Sequence, residues 1–222
     1  MKKVAILSGD LINSTEYSAK TLESVLKVLK KEFKVLSKQY PNEKMSFFIY
    51  RGDSFQGVVE NPELALSIAL QIKAAVSSYT DVEDLPKNAL PSADIRISIG
   101  IGEANYKKEA LAESNGEAFQ YSGRTLDTMK SEGIKIALTT ANSEINAEFK
   151  VHLKFLDATT DRWSVASSEV VYFLIKAYKE QDIAKELDRS QAAINHRKKA
   201  AGWDAIKLLL ERYKNVALNH FV

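Results

Sequence analysis

The feature that most constrains this chain is the order in which its hydrophobic periodicity changes between Val4 and Leu138. Val4 to Leu7 is a short continuous apolar run, as in a buried strand. GDLINST follows, supplying turn residues and Asn13, Ser14 or Thr15 as the N-cap of a helix. Leu22, Val25, Leu26, Leu29, Phe33 and Leu36 recur at three- and four-residue spacing, which predicts that this helix runs to about Lys38, before Tyr40-Pro41-Asn42. Ser46 to Tyr50 and Phe55 to Val59 flank Arg51-Gly52-Asp53-Ser54, a hairpin signature. Pro62 opens a second helix with Leu64, Ile68, Ile72 and Val76 on one face, and residues 80 to 92 read as a surface loop. Ile95 to Ile101 is a strand leading into a polar loop through Asn115, Gly116 to Met129 a third helix, and Lys135 to Leu138 a further strand. Strand, helix, hairpin, helix, strand, helix, strand is the order of an α/β (α+β) domain with a ferredoxin-like, palm-type βαββαβ sheet and helices on one face.

Val151 to Leu156 and Trp163 read as peripheral strands. From about Ala166 the pattern is helical to the end, without proline and with one glycine. Two domains are therefore expected, residues 1–163 and a small all-helical 164–222.

With no cysteine, disulfides, thiolate zinc sites and cysteine nucleophiles are excluded, and His152, His196 and His220 are too dispersed to suggest zinc. The apolar start is cut short by Gly9 and Asp10, and no segment approaches the roughly 20 apolar residues of a membrane span. A cytoplasmic location without membrane contact is expected. Net charge is only +2, but residues 166–222 hold 10 Lys+Arg against 7 Asp+Glu, and Arg189, Arg197, Lys198 and Lys199 lie in a run with no acid.

Asp10 directly follows the first strand and Asp53 sits in the hairpin turn beside Gly52. In a sheet of this order the two carboxylates converge at one edge. Hard oxygen ligands suit Mg2+ or Mn2+, with phosphates and water filling the remaining positions. The amides of Leu11, Ile12, Asn13 and Ser14, leading into a helix, would face the same phosphates. The alternative is that Asp10 caps a helix and Asp53 serves only its turn.

A third element, GEAFQYSGR at residues 116–124, resembles the glycine-to-arginine motif of class III nucleotidyl cyclases, with Gly116, Phe119, Gln120, Ser122 and Arg124 at the Gly, apolar, Asn, small and Arg positions. By the same resemblance the metal aspartates correspond to Asp10 and Asp53, and IRISIGIGEA to the strand before the cyclase loop. The likeness implies a nucleoside triphosphate held by metal, Arg124 neutralising phosphate charge, Gln120 orienting the ribose, and a homodimer with shared sites. Gln120 departs from the family's Asn, and Ile49 stands where adenylyl cyclases carry a base-reading lysine. The whole chain is more closely similar to the SatD family, through the opening strand with GD and NST, RGDSFQ, SGR followed by LD, and a C-terminal helix-turn-helix.

In that C-terminal segment Glu169–Tyr178 and Glu180–Leu187 read as helices, Asp188-Arg189-Ser190 as the turn, and Ser190 as the cap of a third helix. Ala184 and Ile194 supply the small and β-branched residues that a tight helix crossing needs, and Asp188 stands where positive φ usually selects glycine. Gln191, Asn195, His196 and Lys199 would then face DNA bases and phosphates, with Arg189, Arg197 and Lys198 adding backbone charge. The alternative is a helical dimerisation bundle. Two functions follow: a regulator whose nucleotide- and metal-binding domain controls DNA binding by the tail, or an active nucleotidyl cyclase with a helical accessory domain.

Overall fold

A computed structural model describes residues 3–50, 52–81, 86, 88–106 and 114–222; Arg51 of the hairpin and parts of the two expected loops lie outside the described residues. β1 (Lys3–Leu11) is followed by α1 (Ala19–Gln39), the hairpin β2 (Met45–Tyr50) and β3 (Ser54–Val59), α2 (Ala65–Ser77) and β4 (Ile95–Asn105). The short β5 (Asn115–Gly116), α3 (Glu117–Glu132), β6 (Ile136–Thr140) and α4 (Ser143–Thr160) come next. α5 (Val165–Ile175), α6 (Glu180–Glu186), α7 (Gln191–Ala200) and α8 (Trp203–His220) complete the chain.

The strands lie in the order β2-β3-β1-β4, with β6 parallel to β4 and β5 a two-residue antiparallel addition to it. β1 is central and antiparallel to both β3 and β4. Strand alternation sends its two sets of side chains into different cores. Ala5, Leu7 and Leu11 join Phe55, Val59, Ile95, Ile97 and Ile99 beneath α1 and α2, whereas Val4 and Ile6 meet Val58 and Ala118 beneath α3. Helices therefore cover both faces, not one. Gly100 makes the second layer possible, because a Cβ there would lie 2.3 Å from the Ala118 carbonyl oxygen and 2.5 Å from the Ser122 nitrogen.

Three expected elements change, and one is Trp163, which lies in the link between α4 and α5 rather than in a strand. The first helix begins at Ala19 rather than near Ser14, because Asn13 takes left-handed φ of 55°, residues 14–16 form a 3-10 turn, and Ser18 supplies the cap to the Thr21 amide. The expected strand at Val151–Leu156 is instead the middle of α4. Its buried Ile145, Phe149, Leu153 and Leu156 keep helical spacing, and Asn142 caps it on the amides of Glu144 and Ile145.

The C-terminal helices share the larger core: Trp163, Val171, Ala201, Trp203, Ile206, Tyr213 and Val216 pack in the same cluster as the sheet. The Tyr213 hydroxyl donates to the Pro62 carbonyl at 2.7 Å, the Trp163 indole to that of Ala201 at 3.0 Å, and the Tyr172 hydroxyl to buried Glu32 at 2.8 Å. No helix among the described residues is long and apolar enough to cross a membrane.

Candidate functional site

The outer face of the sheet can be read in rows across the strands. One row runs Tyr50, Ser54, Asp10, Arg96; the next runs Phe48, Gln56, Ser8, Ser98. The first is charged at its β1–β4 side and aromatic at β2, where the Phe48 and Tyr50 rings lie 5.8 Å apart. α3 lies over the β1–β4 side of the second row: the Ser122 hydroxyl donates to Ser8 Oγ at 2.7 Å, and the Gln56 amide reaches the same oxygen at 3.3 Å.

Asp10 and Asp53 meet at the end of this face. Asp10 lies opposite Ser54, and the Leu11 amide donates to the Asp53 carbonyl at 3.2 Å. Their carboxylates are held differently. Arg96 donates to Asp10 through Nε at 3.1 Å and Nη2 at 2.7 Å, with 11% and 26% of the two side chains exposed. Hydrogen bonding to Asp10 holds the Arg96 guanidinium above its ordinary pKa, and the charges of Asp94 and Asp53 add to this. Asp53 accepts from the hydroxyls of Ser14 and Ser54, neutral donors, and among the described residues it has no direct ion pair.

Among the described residues no three His, Cys, Asp or Glu side chains come together as a metal cage. Two carboxylates at one strand end do match the donor set of a divalent ion delivered on a triphosphate, where phosphates and water complete the coordination. Of the four expected phosphate-facing residues, Asn13 and Ser14 enter the 3-10 turn. The Leu11 and Ile12 amides are already used, by the carbonyls of Asp53 and of Asp94 at 2.9 Å. Gly52 has the positive φ of 79° that the hairpin turn requires.

Gly116 is not part of this cluster. It pairs with Ala104, eight residues along β4 from Arg96, or roughly 26 Å of strand. Its φ of 129° and the 2.6 Å that would separate a Cβ from the Glu103 carbonyl oxygen explain the glycine without a ligand. Gln120 and Arg124 are both exposed. They lie one turn from each other on the exposed side of α3, about half a turn from the buried seam of Ala118, Ser122 and Met129. Ile49, at the expected base-reading position, packs against the inner core.

Sequence reasoning missed Arg96. The signal was a single arginine in an otherwise apolar strand, but its partner is 86 residues away and only register connects them. It also missed Asp94, which takes Lys73, 1% exposed, and Lys135 at 2.8 Å as partners. Burial alone would raise the Asp94 carboxyl; the two lysines outweigh it and hold it below the ordinary value.

In the C-terminal segment, Val170, Ile183 and Ile194 form a small core with Ala184 and Leu187 around it. Ser190 caps α7 on the Ala193 amide, and Asp188 adopts φ of 49°. Gln191, His196 and Lys199 are exposed, as is Arg189, whose guanidinium donates to the Asp188 carbonyl at 2.8 Å. The others have internal partners: Lys198 pairs with Glu180 at 3.1 Å, Asn195 reaches the same carboxylate at 3.4 Å, and Arg197 pairs with Glu169 at 3.7 Å.

Comparison with solved structures finds the GGEEF domain of a diguanylate cyclase from Vibrio cholerae, at 16% identity and a TM-score of 0.44 over 64% of this chain and 85% of that one. It also finds the adenylyl cyclase CyaB from P. aeruginosa, at 14% and 0.41 over 57% and 72%. A monomeric guanylyl cyclase domain of the RhoGC fusion protein from Blastocladiella emersonii gives 21% and 0.41 over 57% and 75%. No curated protein matches the chain. The SatD family model matches residues 3–220, virtually the whole chain, so the chain belongs to the SatD family.

Proposed function

We propose that the sheet domain binds a nucleoside triphosphate with Mg2+ or Mn2+ at the Asp10–Asp53 end of a ferredoxin-like sheet, in a homodimer whose second copy completes the site. The observation that carries this reading is the meeting, at one end of the sheet's outer face, of Asp10 and of Asp53, whose carboxylate accepts from hydroxyls and has no direct ion pair among the described residues. Asp53, with Asp10 beside it, would place the metal, which would draw charge from the phosphates when bound. The exposure of Gln120 and Arg124, on the side of α3 away from its buried seam, supports the dimer, since both are open to a second copy. Delivered by a partner, the Arg124 guanidinium would neutralise phosphate charge through its planar fork and Gln120 would hold the ribose. Such a site could cyclise the triphosphate and release pyrophosphate.

The test is complementation. Asp53→Asn and Arg124→Ala are each expected to abolish pyrophosphate release with Mn2+, and a mixture of the two to recover part of it, because mixed dimers contain one intact shared site. Turnover by either variant alone, or none in the mixture when wild type is active, would refute the shared site.

A second reading has its own observation: the Val170–Ile183–Ile194 core and the left-handed turn at Asp188 suit a helix-turn-helix. DNA would then meet Gln191, His196, Arg189 and Lys199, with Asn195, Arg197 and Lys198 available only after leaving their acidic partners. Nucleotide would shift DNA affinity and DNA would shift nucleotide affinity equally. Superimposable gel-shift curves with and without nucleotide would exclude that coupling.

A further inference from the structure

We infer that Arg96 takes the place of a metal ion at Asp10, so that the site loads a single divalent cation, on Asp53, and carries the second positive charge itself. The inference rests on the nucleotide-binding reading and refines it.

Arg96 and Asp10 are direct cross-strand partners near the ends of adjacent β4 and β1, and both carboxylate oxygens accept from one guanidinium, at 3.1 and 2.7 Å. A two-pronged pair of this kind is planar and charge-assisted, and the guanidinium remains charged at any working pH. The pair is set by backbone register between two hydrogen-bonded strands. The arginine is also the more deeply buried partner, with 11% of its side chain exposed. A divalent ion seeking Asp10 would therefore have to displace a cation that has little water to retreat into.

Asp53 offers the opposite situation. Its two oxygens accept from the hydroxyls of Ser14 and Ser54, which can turn without leaving a charge unpaired. Among the described residues it has no ion-pair partner. A cation arriving with the triphosphate would thus find one carboxylate open and one closed. Arg96 would lie one strand beyond Asp10 as a fixed charge beside the phosphates.

The experiment is a titration of Mn2+ into the full chain at saturating adenosine or guanosine triphosphate, with protein-bound Mn2+ counted by electron paramagnetic resonance. Wild type is expected to bind one Mn2+ per chain. Arg96→Gln, which frees the Asp10 carboxylate, should bind two. Arg96→Lys keeps the charge without the fork and should remain at one, and it serves as the folded control should Arg96→Gln unfold. Two Mn2+ in wild type would overturn the inference and leave the nucleotide site standing. An unchanged count of one in folded Arg96→Gln, or two in Arg96→Lys, would also overturn it. Absence of both nucleotide and Mn2+ binding in wild type would overturn the underlying reading, and the inference with it.

Discussion

Asp94 immediately precedes β4 and Asp10 faces the second residue of the same strand, yet the two carboxylates are treated in opposite ways. Asp94 is closed. Lys73 from α2 and Lys135 from the turn before β6 both reach it, Lys135 also pairs with Asp161 at 2.7 Å, and the Ile95 amide donates to it at 2.8 Å. Among the described residues Asp10 has one cation on the sheet's outer face, and its neighbour Asp53 has only hydroxyl donors. A carboxylate supplied with two cations from separate elements ties those elements together; one left with neutral donors retains charge for something that arrives. Acidic residues close in space can thus be sorted by who neutralises them.

The largest expected effect comes from breaking the closed cluster. Lys73→Met removes the buried cation and leaves partly buried Asp94 with Lys135, and losing one partner of such a pair costs about 3 kcal/mol. For a chain of this length that lowers the unfolding midpoint by about 10 °C, measurable by circular dichroism. A change under about 2 °C would mean that the cluster does not hold α2 to the sheet.

The dependence on pH sharpens the contrast within the closed cluster. Asp94 lies below its ordinary value of 3.8, so its contribution is present above that pH and is lost as pH falls through the folded value. Asp157, which accepts the amides of Lys135 at 2.8 Å and Ile136 at 3.1 Å, is pushed up by burial to about 6. Its sign is reversed: the neutral form is favoured in the folded chain, so stability falls as pH rises from about 4 through 6. Urea unfolding between those values should show that decline in wild type, up to about 2 to 3 kcal/mol, and a flatter profile in Asp157→Asn. Parallel profiles would contradict the assignment.

The smallest effect is expected at the open cluster. Ser14→Ala removes one hydroxyl from Asp53, and should cost about 1 kcal/mol or less in unfolding free energy, because solvent can replace the lost donor. A loss as large as that of Lys73→Met would place Asp53 among the structural carboxylates.

Much of the fold was legible because its signals are local. Short apolar runs located β1 to β4 and helical spacing located α1 and α2, while a carboxylate following an apolar run and another in a hairpin turn marked Asp10, which lies within β1, and Asp53. α4 was misread because VHLKFL alternates apolar and polar residues like a strand, while the helical repeat from Ile145 to Leu156 appears only over a longer window. Arg96 and Lys73 were illegible for a different reason: a lone cation in an apolar stretch acquires meaning only when the sheet register or helix docking brings an acid opposite it. The exposed side chosen by Gln120 and Arg124 likewise depends on the close approach of α3 to Gly100.

The most direct test of the central claim is thermal unfolding of wild type and Asp53→Asn with each nucleoside triphosphate, with and without Mn2+. Ligand at about 100 times its dissociation constant stabilises by roughly 2.7 kcal/mol, a rise of about 5 to 10 °C for a chain of this size. The expected result is a rise that requires both metal and nucleotide and is absent from Asp53→Asn. An equal rise in the mutant, or none with any triphosphate, would contradict the claim that Asp53 belongs to a nucleotide site.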